Sequence, residues 1–153
     1  MKEFDYDLDY KSLDFTNEET RELYRIGRGE QGVLLVRPYT DDICAHWRFK
    51  NPEIAVESAN HIYGMFLDYR DEEDFIGMDM CRKFLEMGFT RSRRYANHRD
   101  GKKYDKEGNV RPQEKDHATS KYAKSAKIFK SVRDMVAKND IYVTIRKQWR
   151  ASE

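Results

Sequence analysis

The sequence predicts an α+β protein: a predominantly helical single domain over residues 1–153, with a small antiparallel sheet from the N-terminal half. Three observations predict it. Residues 4–10 alternate Phe4, Tyr6, Leu8 and Tyr10 with Asp5, Asp7 and Asp9, the period of a strand with one buried side. Residues 23–26 and Val33–Val36 flank a glycine-rich turn in the manner of a hairpin. Beyond residue 50, apolar residues recur at helical spacing behind good helix-start signals. The expected division is a strand-rich part at 1–50, helices at 51–96, a basic loop at 97–117 and C-terminal helices at 118–153.

The aspartates of the first strand stand in a row rather than around a point, so they read as a solvated face that discourages edge pairing, not as a metal cluster. Gly27-Arg28-Gly29-Glu30-Gln31-Gly32 fits G-x-G-x-x-G to the letter. A dinucleotide site needs that loop to open a helix, and the strand-like Val33–Val36 follows instead. A kinase-type glycine loop fits the strand–loop–strand context, with Lys50 as its lysine, but no H-R-D or D-F-G motif exists and the chain is too short. The segment therefore reads as a tight turn with Arg28 exposed on it. Ile43–Phe49 supplies a further strand, with His46, Arg48 and Lys50 on one face and Trp47 and Phe49 on the other.

Asn51-Pro52-Glu53 starts a helix by a capping amide, a proline at the first position and an early acid. Ile54, Ser58, Ile62, Phe66 and Tyr69 follow at helical spacing, with Ala55, Ala59, Tyr63 and Leu67 beside them. Asp71 or Asp74 caps a second helix bearing Ile76, Met80, Phe84 and Met87, and Gly88 is expected to end it. Thr90 then caps a short helix through Tyr95 or Ala96. Residues 97–116, with Gly101, Gly108, Asn109 and Pro112 amid charges, bury too little to offset their ordering entropy, so this loop is expected to be mobile until a ligand orders it. Thr119 or Ser120 opens the next helix, with Tyr122, Ala126, Phe129, Val132 and Val136 inward. A last helix from Asp140 buries Ile141, Ile145 and Trp149.

A hydrophobic share of 39%, with 10 Tyr, 8 Phe and 2 Trp, supplies a core and argues against disorder, while 37% charged residues call for well-solvated helices. Cys44 and Cys81 form no C-x-x-C pair and read as buried free thiols of a reducing compartment. No apolar run approaches the roughly 20 residues of a membrane span, and the first residues lack a signal-peptide core. The expected location is cytoplasmic, with no membrane partner. The net charge of +1 conceals a division. Residues 1–90 carry eleven Lys and Arg against twenty Asp and Glu, a net of −9; residues 91–153 carry eighteen against eight, a net of +10.

That excess is densest in residues 89–104. Arg91, Arg93, Arg94, Arg99, Lys102 and Lys103 crowd there among Tyr95, His98 and Tyr104. Guanidiniums pair with phosphate oxygens and aromatic rings stack on bases, so this mixture suits a phosphate-bearing partner. The nearest acid upstream is Glu86, which cannot neutralise three arginines, and an anionic ligand would relieve their repulsion. Arg28 and Arg48 are expected helpers. The leading function is binding of nucleic acid or another polyanion. One alternative is a small enzyme acting on a phosphorylated metabolite, with the arginines as clamp and Asp74, Asp79 or His98 as acid–base. Another is a homo-oligomer whose acidic and basic halves meet. The run Asp71–Asp74 reads as solvated carboxylates supporting a helix start. His46, His61, His98 and His117 show no metal spacing, and neither metal nor cofactor is expected.

Several strings resemble a family known only as a domain of unknown function, number 4385. They are Leu23–Val33, His46-Trp-Arg-Phe-Lys50, Pro52–Ala55, Gly77–Met80, and Arg82–Arg91 running into Arg93–His98. The likeness extends from Phe4 to the C-terminal helix. It implies kinship with cytoplasmic proteins of bacteria, fungi and phages, and brings no activity, cofactor or catalytic residue with it.

Overall fold

The computed structural model describes residues 2–153, and among these the protein is helical with no sheet. A 3₁₀ turn at Tyr10–Ser12 precedes α1 (Glu18–Arg21), α2 (Tyr39–Cys44), α3 (Pro52–Asp71), α4 (Phe75–Asn97), α5 (Lys121–Ala137) and α6 (Asp140–Ser152). Helix α4 is the axis of the molecule: α3 and α5 pack on it, while Tyr39 of α2 reaches its capping Asp74 and Tyr142 and Trp149 of α6 meet Phe75 and Asp79 near its start. It buries Phe75, Ile76, Met80, Phe84 and Met87, together with the charged Asp79 and Lys83.

The small antiparallel sheet is not there, and the α+β expectation is corrected to an all-helical fold. The only bridge among the described residues joins Tyr104 to Val110 in the basic loop. The reason lies in where the N-terminal backbone finds its partners. In the arm, Asp5 and Asp14 accept from the backbone N–H two residues on, local turns that compete with a strand. Phe4 and Tyr10 are buried, but Tyr6 is 57% exposed, so the alternation does not mark one continuous face.

In the expected hairpin, the carbonyls that a neighbouring strand would have paired are taken by side chains from the helices. Trp149 Nε1 donates to Tyr24 O at 3.1 Å, Lys83 Nζ to Arg25 O at 3.3 Å and Gln31 O at 2.6 Å, Arg150 to Gly27 O at 2.7 Å, and Arg82 to Gly29 O at 2.8 Å. Residues 28–35 then wind through successive i to i+3 turns. Gly32 has φ of +78°, and a Cβ there would lie 2.1 Å from the Phe4 ring, so the turn needs glycine both for its backbone and for the arm packed on it.

The third expected strand is also absent: Ile43 lies in α2, and turns follow it. The in-out alternation survives without a strand. His46, Arg48 and Lys50 are exposed, while Trp47 and Phe49 are half-buried. Trp47 Nε1 donates to the carbonyl of Phe84 in α4. A loop draped over a helix thus mimics strand periodicity.

Beyond residue 50 the start signals hold. Asn51 caps α3 by accepting from Ile54 N, Asp74 caps α4 from Gly77 N, and Ser120 caps α5 from Ala123 N. Gly88 does not end a helix, and Thr90 caps none. Helix α4 runs unbroken for 23 residues to Asn97, and Thr90 Oγ1 bonds Glu30 and the carbonyl of Met87. Gly88 sits mid-helix because Phe129 of α5 lies against it; a Cβ would fall 2.3 Å from that ring. In α6 Ile145 and Trp149 pack against the core as expected, joined by the fully buried Tyr142, whereas Ile141 is 48% exposed. Cys81 is buried as expected and Cys44 is exposed.

Candidate functional site

Continuing α4 past Gly88 decides how the basic block is displayed. At 100° per residue, a helix cannot hold Arg91, Arg93, Arg94 and Tyr95 on one face. They fan around the end of α4 instead. Arg93, Arg94, His98 and Lys103 border one cavity of about 350 Å³, together with Arg111 and Asn97. Arg91 and Arg28 border another, beside Tyr6, Leu34 and Glu30. Tyr95 and Arg99 meet Tyr122 and Lys121 at a third, which also holds Glu114 and Asp116. Arg48 lies at a fourth with His46, Glu57 and His61, where the two imidazoles stack 3.6 Å apart. Lys102 borders none of these four, and its backbone N–H bonds Asp100.

The 350 Å³ cavity therefore gathers four of the ten predicted residues, more than any of the other three, and no Asp or Glu lines it among the described residues. One wall is α4, from Phe89 to Asn97; the other is the loop from His98 to Gln113. The loop is shaped by its own bonds. Arg111 N donates to Lys103 O, Tyr104 and Val110 bridge, and Asp105 Oδ1 accepts from Glu107 and Asn109. Arg111 is held by both oxygens of Asp100 at 2.7 and 2.9 Å. Arg93 Nη2 bonds Asn97 Oδ1 and the carbonyl of His117, which ties the helix to the far end of the loop. His98 is 5% exposed, and its enclosed Nδ1 has no hydrogen-bond partner among the described residues.

Among the described residues, none of Arg91, Arg93, Arg94, Arg99, Lys102 and Lys103 forms an ion pair. Glu86, the nearest upstream acid, is occupied by Arg133 of α5. Sequence reasoning missed Glu30, which the glycine segment carries to the same end of α4. Burial pushes its carboxyl above the usual carboxylate range, against the pull of the Thr90 hydrogen bond and of Arg91 and Arg94. Its position depends on the long-range packing of the glycine segment, which nothing local in the sequence signals.

The carboxylates considered for acid–base work are committed elsewhere. Asp74 caps α4 and accepts from Arg21 and the Tyr39 hydroxyl. Asp79 is fully buried and accepts from the hydroxyls of Tyr24 and Tyr142 and from Arg82 Nε. Burial alone would raise its pKa, but the charges of Arg82 and Lys83 and these hydrogen bonds outweigh it and hold the value at about 2. An acid this firmly ionised is a poor proton donor near neutral pH.

Beside it, Lys83 is wholly enclosed, with Nζ 4.8 Å from the ring centroids of Phe4 and Tyr24. Burial lowers its pKa to about 7, partly opposed by Asp79 and reinforced by Arg82. A lysine of that pKa suits base or nucleophile chemistry. Lys83, however, spends its donors on two backbone carbonyls and has no exposed surface, so it serves the fold. Its folded pKa lies below the unfolded value of 10.5, so above about pH 7 the folded protein has released a proton that the unfolded chain still holds. Stability should thus rise from pH 7 to about pH 8.5 by roughly 1–2 kcal/mol, before the raised thiol of Cys81 opposes it. Urea denaturation at the two pH values measures this, and Lys83→Met should flatten the rise.

Fold and site together define a helical protein whose conspicuous feature is a cation-lined cavity at the end of its central helix. The chain belongs to the family described as Domain of unknown function (DUF4385), which matches residues 5–152. No curated protein and no solved structure matches it. Among the described residues, no helix is long and apolar enough to cross a membrane.

Proposed function

We propose that the protein binds a nucleic acid or another polyanion along the basic end of α4 and its adjoining loop. One observation carries this reading: six cations between Arg91 and Lys103 lack ion-pair partners among the described residues, and the cavity that four of the predicted residues border contains no acid. A purely structural explanation exists, since cations at a helix C-terminus complement its dipole. That effect is about 0.3–1 kcal/mol per charge and fades within the last turn. It covers Arg94; Glu30 attracts Arg91 and the Tyr104 ring lies 5.5 Å from Lys103 Nζ, yet one carboxylate and one ring do not balance the charge of the cluster, and Lys102 has neither. The rings of Phe49, Tyr95 and Tyr122, with centroids 5.3–6.1 Å apart, lie against the same end of α4 and offer stacking surface. Catalysis is the weaker reading because Asp74 and Asp79 are saturated by structural bonds.

Fluorescence anisotropy with labelled single- and double-stranded oligonucleotides tests the proposal. Affinity should fall steeply with salt as phosphates are neutralised and counterions released. Replacing exposed Arg94 and Lys103 together with Ala removes two cations without touching the core, so the slope of log K against log salt should shrink by roughly two on duplex DNA. No binding at low salt, or binding indifferent to the double replacement, overturns the proposal.

A further inference from the structure

The cavity between α4 and the loop has the size and charge of a site for an end rather than for the middle of a chain. We propose that it binds a phosphate monoester, such as the terminal phosphate of a nucleic acid strand; this rests on the polyanion reading and narrows it. Its volume is about 350 Å³, at the small end of the range for small-ligand pockets. A phosphodiester carries one negative charge and two free oxygens. A monoester carries up to two charges and three free oxygens, with a second pKa near 6.

The lining answers the monoester better. Arg94 and Lys103 are exposed and form no ion pair among the described residues. Arg93 spends only Nη2 on Asn97 and His117, which leaves the rest of its donor fork free. Arg111 is fixed by Asp100 through Nη1 alone, so the bond that anchors it leaves Nη2 and Nε available. His98 borders the cavity as well, but its Nδ1 is enclosed by protein and out of reach of an occupant, so the imidazole backs the wall. Two walls thus supply donors in excess of what a diester offers to bind. The walls come from separate segments joined by hydrogen bonds from Arg93 to His117 O and from Glu114 N to Asn97 O.

The test compares oligonucleotides of one sequence carrying a 5′-phosphate, a 3′-phosphate or two free hydroxyl ends, with adenosine monophosphate and adenosine as free-ligand controls, by competition anisotropy at fixed salt. One phosphorylated end should bind at least about tenfold tighter than the hydroxyl-ended strand, the worth of a charge-assisted hydrogen bond. That advantage should vanish in the Arg94→Ala/Lys103→Ala variant. Equal, salt-sensitive binding of all three strands overturns the end site and leaves polyanion binding standing. Binding of adenosine monophosphate over adenosine with no binding of any strand supports the monoester site and overturns the nucleic-acid reading. Silence from every ligand overturns both.

Discussion

Asp79→Ala is expected to cost about 3–5 kcal/mol of folding stability, enough to consume much of the total of a small domain. The carboxylate joins three elements: its own helix α4, Tyr24 of the glycine-rich region and Tyr142 of α6. Removing it leaves the largely covered Arg82 guanidinium, whose side chain is 12% exposed, without its counter-charge and the buried hydroxyls of Tyr24 and Tyr142 without an acceptor. Leaving such groups uncompensated is costlier than losing the bonds themselves. Urea denaturation monitored by tryptophan fluorescence gives the difference. Trp149, stacked on Phe75 at 5.1 Å, reports the same region. The native protein should also show the acid limb of this pairing. The folded pKa is lowered from 3.8 to about 2, so the stabilisation is complete above pH 4 and is lost as pH falls toward 2. Asp79→Ala should lack that loss. A variant with near-native stability would mean that the network is incidental to the fold.

The second large effect belongs to Gly88. In an ordinary exposed helix, replacing glycine raises stability through helix propensity, by about 1 kcal/mol for alanine and by a few tenths for valine. Here the sign should reverse. A Cβ would enter the ring of Phe129, which is fully buried at the α4–α5 contact, so Gly88→Val should destabilise by about 3 kcal/mol through overpacking. Trimming the opposing ring in the double variant with Phe129→Leu should recover part of the loss, a coupling that thermal melts can read. Stabilisation by Gly88→Val would refute the close approach of the two helices.

These two residues also mark where sequence reading succeeds and where it stops. The caps at Asn51, Asp74 and Ser120 were legible because capping is local chemistry within three residues. Gly88 was misread as a stop because the local rule for glycine is conformational, while its role here is set by a ring 41 positions away. The N-terminal third misled for a related reason. Alternation at 4–10 and at 46–50 is a pattern of burial, and strands are only one way to produce it. Which form the backbone takes depends on its hydrogen-bond partners, and those are side chains of α4 and α6. The basic cluster was legible as a composition. That it divides among several cavities, with Arg91 turned toward Glu30 and Tyr95 toward Tyr122, follows from the unbroken helix.

Tyr24 O and Gly27 O receive their hydrogen bonds from residues 125 and 123 positions later. During synthesis, the glycine-rich region must therefore leave the ribosome long before α6 exists to hold it. Such late closure raises contact order and slows the search for the native state. Helices α3, α4 and α5 can assemble first, from contacts that are nearer in sequence. The N-terminal third, with Phe4, Phe15, Tyr24 and Ile26, is then held by Asp79, Arg82 and Lys83 of α4 alone until Trp149 and Arg150 arrive to close over it.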